Sequence, residues 1–353
     1  MRVLIATDAW HPQVNGVVRT LNAVAQAAPT LGATIAFITP EGFPSIPLPT
    51  YPSIRLAITT PWQIARRIAE ARPDAIHIAT EGPIGHAVRR YCRARGLPFT
   101  TSFHTRLPEY IAARLPIPKR WTWAWLRRFH GAAQRVMAAT PALAAELTRR
   151  GFRNVVLWPR GVDANLFHPR EGADLGVARP VFLFVGRLSV EKNVGDFLSL
   201  ALPGTKVVVG DGPLRAELMR AYPNAVFLGT REGEALAATY AAADVFVFPS
   251  RTDTFGLVLL EALASGVPVA AFPVRGPRDV IGDSPVGALN PDLRTACLRA
   301  LDIPRDATRA FALTMSWEAS ARRFLDNVAR ADPAVARRPP QPSSIPRQTV
   351  NSR

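Results

Sequence analysis

Cysteine is scarce, with two in 353 residues. Cys92 and Cys297 lie far apart, so the chain has neither a disulfide framework nor a paired-cysteine zinc motif, and a reducing compartment is the expectation. The six histidines, at 11, 77, 86, 104, 130 and 168, show no H-x-H or H-x-x-x-H spacing, and no D-x-D pair is present to hold a divalent cation on a diphosphate. No metal is implied. The G-x-S-x-G elbow and the Walker lysine are also missing, which removes the simplest hydrolase and NTPase readings. Long apolar runs are lacking too. The longest candidate, from Phe255 to Val274, is broken by Glu261, Ser265 and two prolines, so no membrane-spanning helix is predicted. The opening MRVLIATDAW meets Asp8 too early for an export signal and reads as a first strand. Acidic residues are in short supply, 27 against 43 Lys and Arg, for a formal charge of +16. Such an excess calls for a polyanionic partner: nucleic acid, an anionic membrane face or phosphorylated small molecules.

What is present is a folded chain, 48% hydrophobic, whose length predicts two domains at about 150 residues each. Short β-branched and aromatic runs (VLIAT, ATIAFIT, DAIHIAT, LPFTTSF) alternate with amphipathic stretches such as Val17 to Leu31. A second series runs through VFLFVG at 181–186, TKVVVG, AVFLG, DVFVFPS and VPVAAF. This alternation predicts two α/β units with parallel strands, because parallel neighbours need crossover connections. Periodicity lapses near 160–178, which is where the linker is expected. SWEASARRFLDNVARA, from 316 to 331, predicts a last helix, and the Pro-, Ser- and Arg-rich stretch beyond Asp332 predicts a disordered basic tail over 333–353. Ligands of such folds bind at the carboxyl ends of the strands, hence in the cleft between the two units.

SRTDTFGLVLLEALASGVPVAAF carries the most information. Thr254 or Asp253 is expected to cap a helix starting at Phe255 and ending at Gly266. The N–H groups of Phe255, Gly256 and Leu257 then offer an anion site. On such a helix Asp253 and Glu261 lie about 12 Å apart along the axis. Either they bracket a long ligand the size of a nucleotide sugar, or they are a capping acid and a solvated mid-helix acid. In FLFVGRLSVEKN, Arg187 and Lys192 follow a buried strand and either converge on one diphosphate or are two surface cations. Gly16 closes a loop before a helix, as an anion cradle or as a turn residue. His104 follows an apolar strand at the end where a cleft residue belongs, with a structural role as the alternative.

Half of the charge excess falls between Arg106 and Arg153, where ten basic residues face two acidic ones. Within it KRWTWAWLRRFH places Trp121, Trp125 and Phe129 at i, i+4 and i+8 among Lys119, Arg120, Arg127 and Arg128. That pattern suits a helix lying in an anionic membrane interface, each basic residue adding about 1 kcal/mol. Its alternatives are a packed helix whose tryptophans face the core, and a nucleic-acid surface with tryptophans stacking on bases.

The ordered combination of W-x-P-x-x-N-G near the start, SFHT, GRLSVEKN, GDGP at 210–213 and D-T-F-G-L-V-L-L-E-A-L-A-S-G-V-P-V resembles glycosyltransferase family 4 over about residues 1–331. The resemblance implies a GT-B fold, two Rossmann-like domains facing a cleft. Residues 1–165 would bind the acceptor, 166–315 would bind the nucleotide sugar, and a helix at 316–332 would cross back to the first domain. It also implies retaining, metal-independent hexosyl transfer with no cofactor beyond the nucleotide-sugar substrate, a UDP- or GDP-hexose. By motif, Glu261 would hold the donor ribose, and Asp253, where the family pattern has Glu, would meet the sugar hydroxyls. Arg187 and Lys192 would hold the diphosphate with amides at Gly16 and at Phe255, Gly256 and Leu257, and His104 would lie beside the transferred sugar. The chain looks most like members that glycosylate lipids, among them diacylglycerol glycosyltransferases, sulfoquinovosyltransferases and GDP-mannose-dependent mannosyltransferases. A lipid acceptor such as diacylglycerol or a phosphatidylinositol-like lipid, at the cytoplasmic face of the membrane, is the expectation. A soluble transferase, a nucleotide-sugar 2-epimerase and a basic nucleic-acid-binding protein are the alternatives.

Overall fold

A computed structural model describes residues 1–11, 16–48, 51–112, 117–251 and 255–331. The first half runs β1 (Arg2–Ala6), α1 (Gly16–Ala27), β2 (Thr34–Ile38), an antiparallel hairpin of β3 (Ser45–Leu48) and β4 (Tyr51–Ala57), then α2 (Pro61–Ala71) and β5 (Ala75–Ile78). It continues with α3 (Pro83–Ala94), β6 (Thr100–Phe103), α4 (Leu107–Ala112), α5 (Lys119–His130), β7 (Arg135–Ala138), α6 (Pro141–Arg149) and β8 (Val155–Leu157). The second half holds β9 (Val181–Val185), α7 (Val194–Leu198), β10 (Thr205–Val209), α8 (Arg215–Ala221), β11 (Val226–Phe227), α9 (Gly233–Ala241) and β12 (Val245–Phe248). Then follow α10 (Leu257–Ala264), β13 (Val269–Ala271), α11 (Arg275–Ile281), β14 (Gly287–Leu289), α12 (Leu293–Ala300), α13 (Arg305–Leu313) and α14 (Trp317–Ala329).

Among the described residues these strands form two six-stranded parallel sheets, in the orders β2-β1-β5-β6-β7-β8 and β11-β10-β9-β12-β13-β14. The central strands β9 (VFLFV) and β12 (VFVF) are buried throughout, as a parallel sheet covered on both faces requires. Local chemistry sets the helix starts. Thr60 and Gln63 form a reciprocal capping box on α2, and Thr140 and Ser316 accept from the third amides of α6 and α14.

The order of the second sheet reverses between β9 and β12, and that of the first between β1 and β5. A crevice opens at the strand ends at each of those points. Between β8 and β9 the chain touches the entry to α14, with the Val162 amide donating to Met315 O at 2.9 Å. A Cβ on Gly161 would lie 2.4 Å from Ser316 C, so only glycine lets the two segments approach this closely. α14 crosses back to the first half. Phe324 packs on the rings of His77 and Trp158 at 5.0 and 4.8 Å, and Asn327 Nδ2 donates to Leu157 O at 2.9 Å. The two sheets and this returning helix make the GT-B arrangement.

Candidate active site

Helix N-termini at the sheet edges supply the first element of the site. The N-terminus of α3 is already filled: Asp8, just after β1, accepts from the amides of Ile84 and Gly85 at 2.8 and 3.2 Å and from the Thr80 hydroxyl at 2.9 Å. Burial pushes the Asp8 carboxyl up, while these bonds pull it down. The N-termini of α1 and α10 instead meet across the cleft, where a Cβ on Gly16 would stand 3.7 Å from Leu257 Cδ1. The first residues of α1 and α10 are therefore neighbours, and each helix end carries partial positive charge.

The expected start of the helix at Phe255 needs correction. α10 begins at Leu257, with Gly256 as its N-cap at φ 85°, and the side chain of Phe255 is buried in the core. Gly256 is needed here because the left-handed turn strains any other residue. Asp253 and Thr254 lie outside the described residues, so the axial spacing expected between Asp253 and Glu261 has no helix to measure it along.

Glu261 is not the solvated mid-helix acid offered as one alternative; it is only 6% exposed. Arg19 on α1 donates to its Oε1 at 2.7 Å, and the Tyr240 hydroxyl on α9 donates to its Oε2 at 3.0 Å. Burial raises the Glu261 carboxyl above its usual range, with the Arg19 charge and the Tyr240 bond acting against that. Beside it lies a cavity of about 380 Å³, walled by His11, Arg19 and Asn22, by linker residues 161–163, by Glu232 and Leu236, and by Leu257 and Trp317. A larger but more open hollow of about 530 Å³, bounded by Arg2, Arg66, Glu70 and Arg72, lies on the far edge of the first sheet and away from these groups.

Arg187 and Lys192 both follow β9 at the reversal point of the second sheet. Arg187 is exposed, Lys192 half-buried. Lys192 Nζ lies 6.0 Å from the ring of Phe248, the same ring that a Cβ on Gly256 would approach at 3.2 Å. Phe248 therefore lies close to both the Lys192 turn and the α10 N-terminus.

His104 stands just beyond β6. Its Nδ1 lies 3.2 Å from Arg160 Nη2, and burial together with the Arg160 charge holds the ring well below its ordinary pKa. The imidazole is thus neutral at physiological pH.

The aromatic helix α5 divides in a way its spacing did not reveal. Trp121 and Trp125 face outward, 65% and 38% exposed, whereas Phe129, expected on the same stripe, is buried at 2% together with Trp123 at 3%. Lys119, Arg120, Arg127 and Arg128 are all exposed. Arg89 on α3 donates to the carbonyls of Phe129 and Arg128, and the His86 and Trp125 rings lie 5.4 Å apart, so α5 is fastened to α3. α2 packs beside α3 and adds Trp62, 67% exposed, to the same side of the domain. Among the described residues no helix is long and apolar enough to cross a membrane.

A second seam joins the halves away from Glu261. Glu146 on α6 accepts from Arg106, Arg150 and, across the seam, Arg275 on α11, and the Thr140 hydroxyl donates to Asp279. Arg19, Tyr240 and Arg160 were not singled out from the sequence. Arg19 stands three residues after Gly16 within the N-G-V-V-R-T motif, a usable signal; nothing local marks Tyr240.

Comparison with known proteins agrees with this geometry. Residues 14–166 match the family model described as Glycosyltransferase Family 4, and residues 179–302 match that of Glycosyl transferases group 1. The chain is 35% identical over 318 residues to a GDP-mannose-dependent alpha-mannosyltransferase of Mycobacterium tuberculosis, covering 82% of this chain and 84% of that one. It is 32% identical over 270 residues to sulfoquinovosyl transferase SQD2 of Arabidopsis thaliana, covering 70% of this chain and 52% of that one. Among solved structures, sucrose-phosphate synthase of Thermosynechococcus elongatus superposes with a TM-score of 0.75 at 21% identity, over 92% of this chain and 97% of that one. HepE of Anabaena in complex with UDP and glucose superposes with a TM-score of 0.69 at 16% identity, over 94% of this chain and 100% of that one. With its two facing Rossmann-like sheets and this degree of identity, the chain belongs to glycosyltransferase family 4 and is a hexosyltransferase that uses a nucleotide sugar.

Proposed function

We propose that this enzyme moves a hexose, with retention of anomeric configuration, from a UDP- or GDP-hexose to a membrane lipid at the cytoplasmic face. The observation that carries the donor half is Glu261: a buried carboxylate on α10, facing a cavity between the halves, one turn from the paired helix ends at Gly16 and Leu257. A carboxylate offers about four acceptor sites. The two used by Arg19 and Tyr240 leave the remaining lone pairs for the ribose hydroxyls. The diphosphate then falls on the amides of α1 and α10 and on Arg187 and Lys192, with Asp253 at the sugar hydroxyls and His104 beside the ring.

In the transfer, the bond from C1 of the sugar to the diphosphate oxygen breaks. The acceptor hydroxyl oxygen bonds to C1 on the same face, and its proton goes to the departing diphosphate oxygen. Charge separates between a cationic sugar and an anionic leaving group, so fixed cations and helix ends aimed at the diphosphate lower the barrier. GDP-mannose is the first donor to try, since the mycobacterial relative is named for its dependence on it.

The acceptor half rests on the outward pair Trp121 and Trp125 with Lys119, Arg120, Arg127 and Arg128, extended by Trp62. Indole rings flanked by cations favour the headgroup level of an anionic leaflet. Another relative, 26% identical over 92% of this chain and 83% of its own, is named an alpha-monoglucosyldiacylglycerol synthase, of Streptococcus pneumoniae.

Thermal denaturation with UDP, GDP, ADP and their hexose conjugates tests the donor. A nucleotide at 100 times its Kd stabilises by about 2.7 kcal/mol. One nucleotide class is expected to shift the wild type and not Glu261→Ala. A panel in which none shifts the wild type, while DNA or acidic liposomes do, overturns the donor site. Flotation with liposomes tests the acceptor face, and binding that ignores anionic lipid content overturns the membrane location in favour of a soluble acceptor.

A further inference from the structure

Arg160 follows β8 at the carboxyl edge of the first sheet, and only 5% of it is exposed. Among the described residues no carboxylate pairs with it. Its Nη1 donates to Trp158 O at 2.8 Å, its guanidinium lies 4.3 Å from the Trp158 ring centroid, and its Nη2 reaches His104 Nδ1 at 3.2 Å. Even with burial pushing it down to about 9, the group is protonated at neutral pH. A buried cation without a counter-charge is costly. Evolved sites keep such a group where its placement does something else.

A guanidinium has donors and no acceptor, so the nitrogen facing it must accept. That leaves the proton of the neutral imidazole on Nε2. We infer that Arg160 is a positioning residue for sugar transfer: it holds His104 as the tautomer that accepts at Nδ1 and donates from Nε2. The ring is then an N–H donor for a sugar hydroxyl oxygen, not a base for the acceptor. The edge of Trp158, at 5.6 Å and 74° to the His104 ring, braces it from a second side. This assignment rests on the placement of His104 beside the transferred sugar under Proposed function, whereas the tautomer itself does not depend on any substrate.

Side-chain 15N NMR of protein carrying 15N-histidine, with His104 assigned by its disappearance in His104→Gln, reads the tautomer directly. In the wild type His104 is expected to show a protonated Nε2 and an unprotonated Nδ1. In Arg160→Met the Nδ1–H form should appear, kcat should fall about 10- to 100-fold, as when a supporting hydrogen bond is removed from a functional histidine, and the donor KM should stay close to wild type. Arg160→Lys, which keeps a donor and a charge, should restore the Nε2–H signature. A wild-type His104 protonated on Nδ1 overturns the inference without any variant having to fold. So does an Arg160→Met protein with the wild-type tautomer and kcat. Failure of the donor panel with the Nε2–H signature intact would sink the substrate assignment instead.

Discussion

Arg19 and Glu261, 242 residues apart in the chain, meet at 2.7 Å across the cleft and tie α1 of the first half to α10 of the second. The carboxylate is buried and the guanidinium half-exposed, so the pair is neither a screened surface contact nor a fully desolvated one. It engages the same carboxylate that is proposed to receive the donor ribose.

Replacing Arg19 therefore has a different expected outcome from replacing Glu261. Arg19→Met should lower the unliganded stability by about 1–2 kcal/mol, given that half of the pair stays in solvent, yet keep the stabilisation by nucleotide. Glu261→Ala should lose the nucleotide effect. Thermal melts of both, with and without nucleotide, decide it; equal loss in the two would place Arg19 within the donor site itself.

Stability should also depend on pH in the acid range. His77 is fully buried between Thr100 and Ser102, and burial lowers it to about 3. The unfolded chain takes up this proton near pH 6.5 while the folded one does not. The stabilising effect is therefore complete above pH 6.5 and is lost as pH falls toward 3, by at most about 1.4 kcal/mol per pH unit for one group. Denaturant titrations at stepped pH should show at least that slope, and His77→Gln should reduce it by about one proton's worth.

The division of α5 predicts that its tryptophans part company on mutation. Trp121→Ala should leave the stability within about 0.5 kcal/mol of wild type, as for an exposed residue, and reduce binding to anionic liposomes. Trp123→Ala, deep in the core, should cost about 3–5 kcal/mol. Liposome flotation beside thermal melts separates the two, and unaltered flotation of a folded Trp121→Ala, Trp125→Ala double variant would remove α5 from the membrane face.

Gly161→Ala should push the linker off the start of α14. A Cβ there would lie 2.4 Å from backbone atoms of Ser316 and Trp317, which cannot swing away as a side chain does. A loss of about 1–3 kcal/mol is expected, the usual cost of overpacking. A wild-type melting temperature for this variant would show that the linker shifts freely.

Much of the donor side was legible in the chain. The run VFLFVG followed by Arg187 and Lys192, and the glycine between Phe255 and Leu257, point to strand ends and a helix start because both signals are local. The same local reading misplaced that helix start, since the left-handed turn at Gly256 sets it and no side-chain cap does. It also grouped Phe129 with Trp121 and Trp125, whereas Phe129 ends that stripe where it turns into the buried face of α5.

The sequence by itself determined the two α/β halves, the strand-end position of His104 and the basic, aromatic character of α5, because these follow from periodicity and neighbouring residues. Only the tertiary structure decided that Arg19 and Tyr240 share Glu261, that Arg160 stands behind His104 56 residues away, and that Asp8 fills the end of α3. Such pairs depend on how two sheets turn their carboxyl edges toward one another, and no spacing along one chain encodes that distance.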